Sequence, residues 1–220
     1  MSDYAFLEER TRPDAPLLFT FHGTGGSERQ FAGIAAELLP EAGHIAPRGD
    51  VSELGALRFF RRTTEGVYDM ADLASRTGKM AGFVASQKAR LGASRVIGMG
   101  YSNGANILAA VAFHAPGLFD DLVLMHPLIP FRPAPAALGG TRALITAGER
   151  DPICPTPLTE ALAGCLREDG AEVLVHWHPG GHEIRPQEFE AASAFLRAAP
   201  AAASLAGRPV SGFARGPGGT

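Results

Sequence analysis

Short apolar runs of strand length alternate along this chain with longer stretches of helical pattern, and that alternation narrows the choice of fold more than any other feature. Leu17 to Phe21, Val96 to Met99, Leu122 to Met125, Arg142 to Ala147 and Val173 to Trp177 are each bounded by glycine, proline or charged residues, as buried strands are. His44 to Pro47 is a further strand candidate, and Tyr4 to Glu9 adds an edge strand. Between them the pattern predicts helices at Gln30 to Leu39, Asp72 to Leu91, Asn103 to Ala115, Thr156 to Asp169 and Pro186 to Ala199. Leu73, Met80, Val84 and Leu91 keep one helix face apolar, whereas Asn103 to Ala115 is apolar nearly all round, as suits a helix buried against a sheet. Strands that are apolar at nearly every position belong in a parallel sheet covered on both faces. The expected fold class is therefore α/β, of the doubly wound type.

Of the 220 residues, 45% are hydrophobic and 20% charged, ordinary values for a globular domain. Residues 1–199 read as one domain, and the Ala-, Gly- and Pro-rich stretch 200–220 as a flexible tail. The formal charge is -3, and no lysine and arginine block follows a phosphate backbone, so no nucleic acid partner is expected. Arg58, Arg61 and Arg62, interleaved with Phe59 and Phe60, form only a local basic patch. No export signal stands at the start and no apolar run approaches membrane-spanning length. Cys154 and Cys165 are then expected as free thiols in a cytoplasmic protein without membrane insertion.

In doubly wound sheets ligand sites gather beyond the carboxyl ends of the strands. Ser102 lies there, in Gly100-Tyr101-Ser102-Asn103-Gly104 between the Val96 to Met99 run and a predicted helix, the setting of a nucleophile elbow. With 27 glycines in the chain, such a pentapeptide arises by chance in roughly one chain in ten, so its partners decide its meaning. His22-Gly23-Thr24-Gly25-Gly26 directly follows Leu17 to Phe21. It is either a packing turn or a loop whose amides face a developing negative charge. It lacks the lysine of a phosphate-binding Walker loop and breaks the dinucleotide spacing.

A serine nucleophile needs a base and a group that orients the base, in the chain order serine, acid, histidine for hydrolases of this class. Asp151, in Gly148-Glu149-Arg150-Asp151-Pro152, and His182, in Gly180-Gly181-His182-Glu183, each follow a strand in that order. An aspartate before proline also serves as a turn residue, and His182 as a plain loop residue. Asp169, Glu168 and Glu183 are the other acids considered. His176 and His178 fall on one face of a strand, but no Cys or carboxylate cluster completes a site beside them, so no metal is expected. Phe59 and Phe60 line an acyl or aromatic pocket or belong to the core. Tyr101 flanks the serine in the candidate pocket, and His126, just past its own strand, belongs to the pocket or is a structural polar residue. Arg61 and Arg62 either favour an anionic leaving group or form a solvated patch.

The chain resembles the phospholipase/carboxylesterase family of the α/β-hydrolase superfamily, related to dienelactone hydrolases and acyl-protein thioesterases. The resemblance spans most of Tyr4 to Leu196. It rests on the His22 to Gly26 loop, Ala46-Pro47-Arg48-Gly49, Arg58 to Arg62 leading to Glu65-Gly66-Val67-Tyr68, Gly98 to Asn106, His126-Pro127-Leu128, Gly148 to Ile153 and Gly181-His182-Glu183. It implies an α/β-hydrolase fold with a mostly parallel central sheet of about seven strands, helices on both faces and no large cap domain. It also implies Ser102, Asp151 and His182 as a catalytic triad, the Thr24 and Asn103 amides as an oxyanion hole, no cofactor, and a homodimer as one form of assembly. Dienelactone hydrolases proper use a cysteine nucleophile where this chain has Ser102, so the activity implied is carboxylester hydrolysis through an acyl-enzyme, on small to medium esters. The same three residues would serve an acyl-protein or acyl-CoA thioesterase or a lysophospholipase. A non-catalytic ligand-binding protein of the same fold is the remaining alternative.

Overall fold

Runs of apolar residues collapse into a sheet whose two faces each need a layer of helix. The computed structural model describes residues 4–198, in the order β1 (Phe6–Glu9), β2 (Leu17–Phe21), α1 (Ala32–Leu38), β3 (Gly43–Pro47), β4 (Val51–Glu53), β5 (Ala56–Arg58), β6 (Arg62–Thr64), β7 (Val67–Tyr68), α2 (Met70–Leu91), β8 (Val96–Tyr101), α3 (Asn103–His114), β9 (Asp121–Met125), β10 (Arg142–Gly148), α4 (Thr156–Glu168), β11 (Glu172–His178) and α5 (Pro186–Arg197). The tail expected at 200–220 lies outside the described residues, as does Ala199 at the end of the expected last helix.

The central sheet has seven strands in the order β1-β3-β2-β8-β9-β10-β11. All neighbours run parallel except β1, which pairs antiparallel with β3 at one edge. Alternate residues of each strand feed two cores. Leu17, Phe19, Leu122, Leu124 and Ile145 join Met80, Leu108 and Leu162 from α2, α3 and α4. Leu18, Ile97, Met99, Val123 and Leu144 join Ala35, Leu38, Ala192 and Phe195 from α1 and α5. The sheet is therefore covered on both faces, as its apolar strands require.

Two short hairpins, β4–β5 and β6–β7, stand outside this sheet and have no counterpart among the predicted elements. Their strands are two or three residues long, too short to carry a period. The first turns at Leu54-Gly55, both with positive φ (52° and 88°), the backbone of a tight two-residue hairpin turn. Helix α1 starts later than the predicted Gln30 because the Gln30 side chain accepts a hydrogen bond from the Gly23 N–H at 3.0 Å and is committed to the loop after β2. Helix α2 starts two residues earlier than predicted, capped by the Asp69 carboxylate, which accepts from the Asp72 N–H at 3.0 Å.

Candidate active site

Strand β8 ends in a turn sharp enough to force Ser102 to φ 52°, ψ -117°, backbone that only a few per cent of non-glycine residues adopt. The turn demands glycine on both sides. A Cβ on Gly100 would lie 2.6 Å from the Gly104 carbonyl oxygen, and one on Gly104 would collide with the Phe21 carbonyl oxygen. The Ser102 N–H is tied to the Met125 carbonyl of β9 at 2.9 Å. This strained corner lifts the hydroxyl off the sheet at the N-terminus of α3, in the geometry of a nucleophile elbow.

Three side chains from the ends of β8, β10 and β11 meet here. Ser102 Oγ lies 2.9 Å from His182 Nε2, and His182 Nδ1 lies 2.7 Å from Asp151 Oδ2. A carboxylate only accepts, so the Nδ1–H donates to Asp151 and Nε2 faces the serine hydroxyl. Asp151 is buried. Burial raises its pKa, but donation from the Cys154 N–H, His182, His126 and the Ile153 N–H outweighs it and holds the carboxyl below its ordinary value. The other acids considered lie elsewhere: Glu183 pairs with Arg185 at 2.7 Å, Glu168 pairs with Arg132, and Asp169 accepts from the Ala136 N–H.

A cavity of about 170 Å³ opens over Ser102 and His182, lined also by Thr24, Asn103, Tyr101, Arg58, Arg62 and Glu65. Among the described residues, the Thr24 and Asn103 backbone N–H groups have no acceptor within the protein. The Thr24 loop is held by the Gly25 N–H on the Leu57 carbonyl at 2.9 Å and by Arg58 Nη1 donating to Thr24 Oγ1 at 2.7 Å. Tyr101 lines the cavity, and its hydroxyl donates to the His182 carbonyl at 2.7 Å. Burial pushes that phenol up to about 12, so it remains protonated at neutral pH.

Phe59 and Phe60 are not pocket residues. Both are fully buried in the core, Phe59 edge-on to Phe21 and Phe60 edge-on to Tyr68. Their sequence neighbours take the cavity wall instead. Arg58 is 3% exposed, donates to the Phe60 carbonyl at 3.3 Å and pairs with Glu53, and Arg62 binds Glu53 and Glu65. Arg61 is exposed, pairs with Asp72 and does not line the cavity. Glycine signals in the sequence, Leu54-Gly55 and Glu65-Gly66, mark the hairpins that carry this wall.

His126 does not reach the cavity either. It is fully buried behind the relay, its Nδ1 3.0 Å from Asp151 Oδ2. The expectation that no carboxylate accompanies His178 is corrected here. Glu188 of α5 lies 3.4 Å from His178 Nε2 and 3.0 Å from His126 Nε2, so two histidines and a glutamate converge in the interior. His176 is not part of this group. Cys154 and Cys165 are free thiols. Cys154 borders the cavity with its thiol donating to the His126 carbonyl at 3.2 Å, and burial pushes its pKa up, which makes it a poor nucleophile beside Ser102.

Among the described residues no helix is long and apolar enough to cross a membrane. No protein-family model matches the chain. It is 37% identical over 186 residues to MhqD of Bacillus subtilis, which is named as a hydrolase, covering 83% of this chain and 93% of that protein. The crystal structure of a protein of unknown function from Agrobacterium tumefaciens is similar at 55% identity and a TM-score of 0.84, over 88% of this chain and 95% of that one. The Bacillus cereus carboxylesterase is similar at 35% identity and a TM-score of 0.83, over 87% and 92%. Identity at this level, across nearly the whole length of each, accompanies the seven-stranded sheet described above. The chain belongs to the phospholipase/carboxylesterase family of the α/β-hydrolase superfamily.

Proposed function

We propose that the protein is a serine carboxylesterase that hydrolyses small to medium carboxylic esters through an acyl-enzyme. The observation that carries this reading is the unbroken hydrogen-bonded line from Ser102 through His182 to Asp151, opening on a cavity. Ser102 Oγ attacks the ester carbonyl as His182 Nε2 takes its proton, and Asp151 supports the imidazolium so formed. The Thr24 and Asn103 N–H groups, the second at the N-terminus of α3, stabilise the oxyanion that develops. His182 then returns the proton to the departing alcohol. Water activated by the same ring releases the acid.

A cavity of about 170 Å³ with two arginines and a glutamate on its wall suits a short acyl group. A long lipid chain needs a longer apolar channel, so the thioesterase and lysophospholipase readings are the less favoured. Ser102→Ala should lower hydrolysis of short p-nitrophenyl esters by a factor of at least about 10³ while the circular dichroism spectrum is retained. A folded Ser102→Ala protein with undiminished turnover would remove the assignment. Labelling by a fluorophosphonate separates an enzyme from a ligand-binding protein of the same fold. A panel of oxyesters and thioesters of graded acyl length should peak at short oxyesters.

A further inference from the structure

Behind the relay lies a second histidine that the proposed reaction does not itself use. His126 follows β9 as Ser102 follows β8, and its backbone shares the positive φ, here 49°. A strained, fully buried histidine between two carboxylates is an expensive arrangement to maintain without a purpose. Its Nδ1 stands 3.0 Å from Asp151 Oδ2 and its Nε2 stands 3.0 Å from Glu188 Oε1.

Both carboxylates are already held as anions by other donors. Asp151 accepts from the Ile153 and Cys154 N–H groups at 2.8 and 3.0 Å, and Glu188 accepts from the Thr146 hydroxyl at 2.6 Å and the Arg185 N–H at 2.7 Å. A ring nitrogen without a proton turns a lone pair towards its neighbour, and a lone pair does not rest 3.0 Å from a carboxylate oxygen. Each nitrogen of His126 therefore needs its own proton. Resting on the reading of Ser102, His182 and Asp151 as a triad, we propose that His126 is held as an imidazolium that positions Asp151 and, by its charge, opposes protonation of His182.

The surroundings agree with that assignment. Burial opposes charge on His126, but contact with Glu188 and then Asp151 outweighs it and raises its pKa above the ordinary histidine value. Glu188, despite burial, is held below its ordinary value by His126, Thr146 and the Arg185 N–H. The other titratable groups facing the ring are His178 of β11, whose Nε2 is 3.5 Å from His126 Nε2, and His182 and Tyr101, with ring centroids at 5.2 and 5.8 Å, while the Cys154 thiol meets the His126 carbonyl. Glu183 and Arg185 act on His178 from beyond. Burial lowers the pKa of His178, so it stays neutral and adds no competing positive charge. The balance is one cation, His126, between two anions. Removing it would leave two carboxylates uncompensated behind His182 and make protonation of that base easier.

Nitrogen NMR of the unmodified protein tests the charge without reference to hydrolysis. At pH 8 both His126 ring nitrogens should resonate as N–H, whereas a ring with one bare nitrogen would overturn the proposal. In Glu188→Gln the second proton should be released by pH 8, and its retention would show that Glu188 does not hold it. In His126→Gln the acid limb of the kcat/KM profile should move up by about one pH unit, while a purely structural loss would lower the plateau and leave the limb in place. Retained activity in Ser102→Ala, with both N–H signals present, would instead sink the triad reading and leave the charge standing.

Discussion

At the scale of single residues, adjacent side chains in one short stretch have opposite duties. Arg58 and Arg62 face the cavity while Phe59 and Phe60 face the core, and the backbone between them is anchored by the Phe59 N–H donating to Asn103 Oδ1 at 2.8 Å. Truncating either phenylalanine should therefore cost stability before selectivity. Phe59→Ala should lower the unfolding free energy by about 3–5 kcal/mol in a urea titration, with the ranking of acyl lengths unchanged. Ser102, Asp151 and His182 were legible in the sequence because glycines and strand ends mark where such side chains project. The role of Phe59 and Phe60 was not legible, because hydrophobicity alone does not say which side of a loop faces a cavity. Glu188 was invisible for a related reason: it lies within α5, at a position with the look of a solvated helix surface, and only the tertiary approach of α5 to β10 buries it against Thr146.

At the scale of elements, the sheet strands could be read from the sequence and the hairpins could not. A strand such as β10, buried at every position, writes its environment into seven successive residues. Hairpins β4–β5 and β6–β7 have too few residues for any pattern, and their turn glycines are the only trace. The joint between β8 and α3 depends on the absence of side chains. Gly104→Ala would drive a methyl group into the Phe21 carbonyl oxygen, and overpacking of that kind costs about 1–3 kcal/mol or more. Its expected signature is a lowered melting temperature together with a greater loss of kcat than of substrate affinity, since the loop after β2 and the start of α3 carry Thr24 and Asn103, the oxyanion donors of the proposed mechanism. At the start of α2, Asp69→Ala should cost about 1 kcal/mol through loss of the cap and leave the kinetics alone, as a denaturant titration with a parallel activity assay would show.

For the whole molecule, buried titratable groups predict how stability follows pH. Asp151 and Glu188 sit below their ordinary values in the fold, so their contribution is present above the ordinary carboxylate range, about pH 4 to 4.5, and is lost as pH falls through the depressed values. His22, His44 and His178 are lowered by burial, so stability also declines as pH drops below about 6.5, where the unfolded chain takes up protons that the fold refuses. His126 runs the other way: raised in the fold, it contributes fully below about pH 6.5 and loses that contribution as pH rises through its folded value. Urea midpoints should therefore climb from pH 4 to 7 and then level off or decline. A monotonic rise to pH 9 would contradict the direction given for His126.

The seven-stranded order places β8, β9, β10 and β11 side by side, and each contributes one group beyond its end: Ser102, His126, Asp151 and His182 in turn. Chemistry is thus laid out across the sheet, where strand spacing near 4.8 Å sets the intervals. Part of the cavity wall, Arg58, Arg62, Glu65 and Tyr68, comes from the hairpins, outside the sheet altogether. Substitutions in the hairpins can therefore reshape that part of the wall while the sheet register that sets the strand ends before Ser102, His126, Asp151 and His182 side by side stays untouched.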